Sequence, residues 1–257
     1  MGKALRVAWC WRKVHAVYTL VSGGYPTLFL DASTVALSDP RSLVARRLAR
    51  AELVTLSDFG GAKEQQAINT GLLAAAPDSF PVLVESASSR DARDGVKTGG
   101  LPSLRERKTT RLLEEWMAYE SDAKDTEQAY LTWELAPAAR ARGDVIVALP
   151  HDKFPSYVTF DEKRHVRGSH STYRLPDSNA SLNNENDVKE SGGVTVHAAY
   201  CGSVSGKLSF LRRVEALARD PSGLAKAPDA DELAGCDAYD KNKFRACGRA
   251  PWDGDCD

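Results

Sequence analysis

The chain has 257 residues and a formal net charge of −1, and 27% of its residues are charged. A chain of this length can bury a sizeable core as one large domain or two small ones. The near-neutral charge argues against a general nucleic-acid binder, which is usually basic, and without an apolar run of about 18 residues no membrane-spanning segment is predicted.

The first elements alternate between helix and strand. Apolar residues recur at helical spacing between residues 5 and 22, which predicts an amphipathic helix. A continuous apolar run at residues 27–31 then predicts a strand that is buried on both faces. Asp39-Pro40 marks the start of a second helix at residues 42–50, and residues 52–56 form a second run typical of a strand.

Both of these apolar runs lead to an acidic residue. Asp31 comes at the end of the first run, and Asp58 comes shortly after the second. In open α/β sheets, the carboxyl ends of the strands border the crevice in which ligands bind. The two aspartates are therefore expected at one edge of the same sheet.

The rest of the chain continues the alternation, which predicts an α/β fold. Residues 67–73 lead into another apolar segment. Strands are expected at residues 81–85, 144–149 and 193–197, and helices at residues 109–119, 126–135 and 208–218. Stretches rich in Ser, Gly and charged residues predict loop insertions at about 86–106 and 155–192. These patterns indicate one domain over residues 1–220, followed by an irregular, cysteine-containing tail at 221–257.

A glycine-rich loop follows the last strand. His197 closes that strand, and Gly202, Gly206 and Lys207 come before the final helix. Backbone N–H groups at a helix N-terminus and a lysine ammonium both bind phosphate oxygens. The loop is not a Walker A motif, because three residues rather than four separate its two glycines. Taken alone, it is a weak indication of a phosphate site.

In their order along the chain, these motifs resemble those of the plant and algal nucleotide-diphospho-sugar transferases (glycosyltransferase family 77 and relatives), which have a GT-A fold. The stretch GYPTLFLDASTVALSDP is similar to the family's GY-x-LFLDADTV-x-L-x-DP, which carries a metal-binding Asp-x-Asp. AELVTLSDF, INTGLL, a tryptophan helix followed by EQAYL, VALPHDKFPS and VHAAYCGSVSGKLSFL resemble later family motifs. The resemblance covers about residues 6–217 and implies a Rossmann-type mixed sheet flanked by helices.

The resemblance implies a divalent-cation site. Asp31 and Ser33 occupy the two positions of the family's Asp-x-Asp, and His197 occupies the histidine position after the last strand. These three residues are the candidate metal ligands, with Mn²⁺ (or Mg²⁺) as the cofactor. A hard cation takes oxygen ligands, and manganese also tolerates a histidine. The chain departs from the family at Ser33, which replaces an aspartate, and at Glu127, which replaces the aspartate of an Asp-Gln pair.

The resemblance also implies how the nucleotide sugar is bound. Gly202 and Lys207 would contact the diphosphate of the donor. The pocket for the sugar and the acceptor would be lined by Asp58, Asn69, Gly71 and Gln128. No residue stands out as a nucleophile or a general base, so the catalytic residues are left unassigned.

The implied function is metal-assisted glycosyl transfer from a nucleotide-diphosphate donor to a glycan or glycoprotein acceptor, with retention of configuration. Such enzymes act in the Golgi lumen or elsewhere in the secretory pathway, although residues 1–11 lack the apolar region of a signal peptide. The strands that precede the first helix in the family are missing from this sequence. Their absence predicts an unpaired sheet edge beside the strand at residues 27–31 and low activity of the chain by itself.

Two other functions fit parts of the sequence. A catalytically degenerate relative would keep the same pocket as a binding scaffold. A PIN-like metal-dependent nuclease would also open with a strand such as LFLDAST, and it would need Asp58 or Glu85 close to Asp31. That alternative gives no role to His197 or Lys207.

Overall fold

The structure is a computed structural model that describes residues 3–57, 68–84, 103–122, 126–150, 153–155, 194–198 and 204–219. The chain divides into two compact units. The first, called the sheet unit, comprises Met1–Leu30 and Arg41–Leu149. The second, called the ribbon unit, comprises Asp31–Pro40 and Pro150–Asp257. The predicted tail at residues 221–257 lies outside the described residues.

Helices and strands alternate along the described part of the chain. The helices are α1 (Lys3–Ser22), α2 (Arg41–Leu48), α3 (Thr109–Ala118), α4 (Glu127–Tyr130), α5 (Ala136–Ala141) and α6 (Val204–Arg219). The strands are β1 (Thr27–Leu30), β2 (Thr34–Ala36), β3 (Leu53–Ser57), β4 (Ile68–Ala75), β5 (Val82–Val84), β6 (Ser103–Arg105), β7 (Ile146–Ala148) and β8 (Thr195–His197). The predicted α/β class is confirmed.

The sheet unit is built on a mixed four-stranded sheet in the order β1-β4-β3-β7. β4 runs antiparallel to both of its neighbours, and β3 runs parallel to β7. β1, β3 and β7 therefore run in the same direction, and their carboxyl ends lie at one edge of the sheet. This is the mixed, Rossmann-type sheet that the sequence predicts.

One apolar core joins three helical segments to a face of this sheet. Its members are, from α1, Trp11, Val14, Val17 and Val21; from α3, Leu112, Leu113 and Trp116; and from the sheet, Leu53, Ile68, Leu73, Ala75 and Ile146, together with residues of the α4–α5 segment. α2 also contacts β3 and β4, and none of its residues belongs to this core. None of the described helices is both long enough and apolar enough to cross a membrane.

β1 is less buried than the sequence predicts. It lies at an edge of the sheet, where β4 is its only neighbour among the described strands, and all four of its residues are half-buried. The prediction of burial on both faces is wrong, because an apolar run does not distinguish an edge strand from a central one. The central strands β3 and β4, by contrast, are buried at every position.

The helix predicted to end at residue 135 continues to Ala141. A π-helical turn at Leu131–Leu135 joins α4 to α5 without a break. Pro137, in the first turn of α5, has no N–H to donate to the carbonyl four residues earlier. Because single π turns occur as bulges inside α-helices, the wider turn before the proline lets the helix continue without that bond.

The predicted loop at residues 86–106 contains a strand. Ser103–Arg105 forms β6, which pairs antiparallel with β5. Two of its three residues are exposed, so it lacks the apolar alternation that marks a half-buried strand. Residues 85–102 and 156–193 lie outside the described residues. They include most of the two predicted insertions.

Gly143 ends α5 with a φ of 83°, in the left-handed region. Its N–H donates to the carbonyl of Arg140 and the N–H of Asp144 donates to that of Ala139, both at 3.0 Å. This is the Schellman arrangement, which satisfies the last carbonyls of a helix.

We expect Gly143→Ala to lower the free energy of unfolding by about 1 kcal/mol, because a Cβ in this conformation is strained. Urea denaturation measures the change. Gly143→Asn is the control, since asparagine tolerates this conformation and should recover part of the loss. An equal loss for both variants would contradict a conformational cause.

The ribbon unit contains the antiparallel pair β2–β8 and the helix α6. The register places Thr34 opposite His197 and Ala36 opposite Thr195. α6 packs on β2, and the apolar core of the unit consists of Val196, Ala198, Phe210, Leu211 and Val214, with Val35 and Leu37 at its border. The sequence analysis does not predict β2, because three residues are too few to show the period of a strand.

Candidate functional site

The β2–β8 pairing fixes the backbone around the predicted metal ligands. The carbonyl of Ser33, just before β2, accepts a hydrogen bond from the Ala198 N–H at 2.8 Å. The carbonyl of Asp31 accepts from the Thr34 N–H at 2.9 Å, which closes a turn between them. These bonds bring Ser33 and Asp31 to the end of β8, where His197 lies.

The side chains of Asp31, Ser33 and His197 converge. His197 Nε2 lies 3.1 Å from Ser33 Oγ and 3.9 Å from Asp31 Oδ2. The His197 side chain is 8% exposed and that of Asp31 is 31% exposed, so the imidazole is buried while a ligand can reach the carboxylate. The cluster is not a hydrolase triad, because in a triad the serine and the aspartate contact different ring nitrogens.

The spacing of these atoms allows them to share a cation, but the donor set is small. Two ligands of one ion lie about 3 to 4 Å apart when the metal–ligand bonds are about 2.1 Å long. Within the described ranges, no group of three or more His, Cys, Asp or Glu side chains could hold a metal ion. If a cation bound here, Asp31 and His197 would be its two strong ligands, and Ser33 would add only a hydroxyl.

The predicted diphosphate ligands are placed only in part. Lys207 lies in the first turn of α6 and is half-buried. α6 packs on β2, the strand that directly follows Ser33. Gly202, and the predicted pocket residue Asp58, lie outside the described residues.

The predicted sugar pocket falls on an irregularity in β4 of the sheet unit. Along β3, Thr55 pairs with Leu73, but the next residue, Leu56, pairs with Asn69. One step along β3 thus corresponds to four steps along β4, which is a bulge in the ladder. The two residues at its centre, Thr70 and Gly71, pair with neither β3 nor β1.

Side chains supply the hydrogen bonds that this bulge lacks. The Gly71 N–H donates to Asn69 Oδ1 at 2.7 Å, and the Thr70 N–H donates to Gln128 Oε1 at 3.1 Å. Three of the predicted pocket residues, Asn69, Gly71 and Gln128, are therefore brought together. Each takes part in satisfying buried backbone groups, which would otherwise raise the energy of the fold.

A buried ion pair that no sequence pattern predicts adjoins the bulge. Lys13 Nζ lies 2.7 Å from Glu127 Oε1, and the two side chains are 11% and 2% exposed. The Thr70 hydroxyl donates to the same Glu127 oxygen at 2.7 Å and accepts from Lys13 Nζ at 2.9 Å. No local pattern marks Lys13, because a lysine on an amphipathic helix is usually solvated. The only signal is that Glu127 departs from the family motif.

The two carboxylate oxygens of Glu127 differ in their hydrogen-bond partners. Glu127 Oε2 is buried, and no hydrogen-bond partner for it exists within the described part of the chain. The backbone around it is fixed, because Trp116 Nε1 donates to the Glu127 carbonyl at 2.9 Å. An unpartnered buried carboxylate oxygen is costly, and this one has almost no exposed surface that a ligand could contact.

The mixed Rossmann-type sheet is packed against helices, and polar side chains lie at the bulge of β4. This is an α/β protein of GT-A-like architecture. The chain matches the nucleotide-diphospho-sugar transferase family over residues 2–211, and it belongs to that family. No curated protein and no solved structure matches it. The predicted family is thus confirmed, while the narrower assignment to glycosyltransferase family 77 stays a prediction.

Family membership supports glycosyltransferase activity in general, with a nucleotide sugar as the donor and a second molecule as the acceptor. The match spans every candidate site residue, from Asp31 to Lys207. Their individual roles remain predictions.

Proposed function

We propose that this protein is a metal-assisted glycosyltransferase that moves a sugar from a nucleotide-diphosphate donor to a glycan or glycoprotein acceptor. The observation that carries the proposal is the convergence of Asp31, Ser33 and His197 in a chain of this family. Ser33 and His197 are 164 positions apart in the sequence, so their contact depends on the β2–β8 pairing.

Asp31 and His197 would hold the cation, with Ser33 beside them. When bound, Mn²⁺ or Mg²⁺ acts as a Lewis acid that stabilises the negative charge of the departing nucleoside diphosphate. A carboxylate, an imidazole and a hydroxyl suit manganese better than magnesium, which prefers oxygen ligands and retains its waters. The remaining coordination positions would be left to phosphate oxygens and water.

Lys207 would place a second positive charge on the diphosphate. The first N–H groups of a helix have no intrahelical partners, and the helix dipole favours anions there. The first turn of α6 contains no acidic residue that would repel a phosphate. Positive charge held in position where negative charge develops lowers the barrier to transfer.

The polar groups at the β4 bulge would bind the sugar or the acceptor. Gln128 Oε1 accepts from the Thr70 N–H at 3.1 Å, so this oxygen holds the side-chain amide at the bulge. A sugar hydroxyl both donates and accepts hydrogen bonds, so the side-chain amides of Asn69 and Gln128 are complementary to it.

The stereochemistry, the donor class and the location are proposed from the resemblance to family 77 alone. We propose retention of configuration, a pentose or galactose donor, and action in the Golgi lumen or another part of the secretory pathway. No side chain is assigned as the nucleophile or the general base.

A binding scaffold without turnover is the second candidate function. Ser33 replaces a carboxylate, and no cluster of three strong ligands occurs within the described residues. Affinity for hard cations rises with the number of charged ligands, so the cation would bind weakly. The nuclease alternative is not proposed, because the family match covers the strand and the aspartate on which it depends.

Two measurements on one sample distinguish these functions: calorimetric binding of nucleoside diphosphates and hydrolysis of a panel of nucleotide sugars, with water in place of the acceptor. We expect one nucleotide sugar to be hydrolysed in the presence of Mn²⁺ and chelation of the metal to stop the reaction. Binding without hydrolysis of any donor would favour the scaffold. Failure to bind any nucleoside diphosphate would contradict both functions.

Ser33→Asp should tighten Mn²⁺ binding by about tenfold, because it adds a charged ligand to the cation site. Calorimetric titration with Mn²⁺ and a nucleoside diphosphate measures the change. Ala36→Asp is the matched control, since it adds the same charge at an exposed position of β2. Equal affinity of Ser33→Asp and the unmodified protein would place Ser33 outside the coordination shell.

A further inference from the structure

The Thr70 hydroxyl connects a buried ion pair to the predicted sugar pocket. It donates to Glu127 Oε1 at 2.7 Å and accepts from Lys13 Nζ at 2.9 Å, while the backbone N–H of Thr70 donates to Gln128 Oε1 at 3.1 Å. Thr70, at the centre of the bulge, is thus hydrogen-bonded to both charged side chains through its hydroxyl and to Gln128 through its backbone N–H.

The arrangement of these partners fixes the bulge in three ways. Lys13 Nζ also approaches the Thr70 carbonyl at 3.3 Å, so the ammonium contacts both a backbone and a side-chain oxygen of Thr70. The hydroxyl of Thr70 has one hydrogen and uses it on the carboxylate. The N–H of Thr70 then requires an outside acceptor, which Gln128 provides.

Both charged side chains of this ion pair are buried, which costs desolvation free energy. Lys13 is 11% exposed and Glu127 is 2% exposed. Removing a charge from water is favourable only when its partners are well placed, and replacing a buried pair by apolar residues is often neutral or stabilising. Stability alone therefore does not account for a lysine and a glutamate at this place.

We propose that Lys13 and Glu127 are positioning residues, which act through Thr70 to hold the β4 bulge and the Gln128 amide in the geometry that receives the sugar. This proposal rests on the proposed function, since it assigns the bulge to the transferase site. Lys13 lies on α1, Thr70 on β4 and Glu127 on α4, so three separate elements determine the orientation of one amide.

The direct structural test is amide hydrogen exchange, measured residue by residue by NMR. Thr70→Val removes the hydroxyl, keeps the shape of the side chain and leaves the ion pair in place. We expect exchange at Gly71 and at position 70 to rise by at least about tenfold, because their hydrogen bonds lose support. Exchange at Leu73 and Ala74, in the regular part of β4, should stay unchanged.

Three further variants separate positioning from stability. Lys13→Arg keeps the charge and should keep slow exchange at the bulge. Lys13→Met combined with Glu127→Met removes both charges together, which avoids an unpaired buried ion, and it should raise exchange at the bulge as Thr70→Val does. Arg12→Met, at the exposed neighbouring position on α1, is the control and should change nothing.

The functional readout is hydrolysis of the nucleotide sugar by the same variants. We expect kcat to fall about tenfold in Thr70→Val and in the double variant, while the affinity for Mn²⁺ with a nucleoside diphosphate is unchanged. If the unmodified protein hydrolyses no donor, the transferase function fails, but the exchange data still decide whether the ion pair holds the bulge. Slow exchange at Gly71 and unchanged kcat in Thr70→Val would overturn the positioning role.

Discussion

Arg107→Met should lower the free energy of unfolding by about 4 kcal/mol, one of the two largest effects expected for this protein. Arg107 is 2% exposed and lies between β6 and α3. Its guanidinium donates three hydrogen bonds to backbone carbonyls: from Nε to Phe80 at 2.6 Å, from Nη1 to Ala51 and from Nη2 to Leu48.

These carbonyls belong to different parts of the sheet unit. Leu48 is the last residue of α2, Ala51 precedes β3, and Phe80 precedes β5. Burial lowers the pKa of Arg107 from its usual value, and the charges of Glu52 and Asp78 act in the opposite direction. Methionine would fill a similar volume but leave three carbonyls without this donor, and each would lose a charge-assisted bond.

Thermal and urea unfolding measure this effect, and a loss of about 4 kcal/mol should lower Tm by about 10 °C in a chain of this size. Arg47→Met, on the exposed side of α2, is the matched control and should change stability by less than about 0.5 kcal/mol. Arg107→Lys should also be strongly destabilising, because one ammonium cannot reproduce the guanidinium fork. A change below about 0.5 kcal/mol in Arg107→Met would contradict the role assigned to the three bonds.

The second large effect is expected from Asp31→Asn, which should lower kcat/KM for the nucleotide sugar by about a hundredfold to a thousandfold. The amide has nearly the same shape as the carboxylate, and the Asp31 side chain is 31% exposed, so the fold should be retained. The variant removes the negative charge that would hold the cation, and with it most of the Lewis-acid stabilisation of the leaving group.

Steady-state hydrolysis with and without a chelator tests this prediction. In the unmodified protein, chelation should abolish turnover. In Asp31→Asn, the small remaining activity should respond little to the chelator, because the cation no longer binds. Asp39→Asn, at an exposed position eight residues later, is the control and should keep full activity. Full metal-dependent turnover by Asp31→Asn would show that the carboxylate does not hold the cation.

Several features of the fold can be predicted from the sequence, because local periodicity alone determines them. The buried face of α1, which includes Trp11, Val14 and Val21, repeats at helical spacing, so both the helix and its inner side are evident before any contact is known. The apolar runs that became β1 and β3 likewise show where strands lie. The order of motifs was sufficient to identify the family, which the match over residues 2–211 confirms.

The features of the fold that the sequence does not predict also have identifiable causes. β1 is an edge strand, and its sequence resembles that of a central strand because only the neighbours in the sheet differ. β2 and β6 have three residues each, too few for a period of two to be visible. Pro137 suggests the end of a helix, but a π turn before it lets the helix continue.

The family resemblance had already grouped Asp31, Ser33 and His197. Only the tertiary structure gave the distances among them and brought Lys13 to Glu127. Ser33 and His197 are 164 positions apart, and the pairing of β2 with β8 places them 3.1 Å from each other. Lys13 and Glu127, on different helices, meet at Thr70. A side-chain contact of this kind depends on how strands are paired and helices are packed, and a sequence pattern of short range carries no information about either. The sequence therefore determined the elements and the family, and the packing of those elements determined the candidate site.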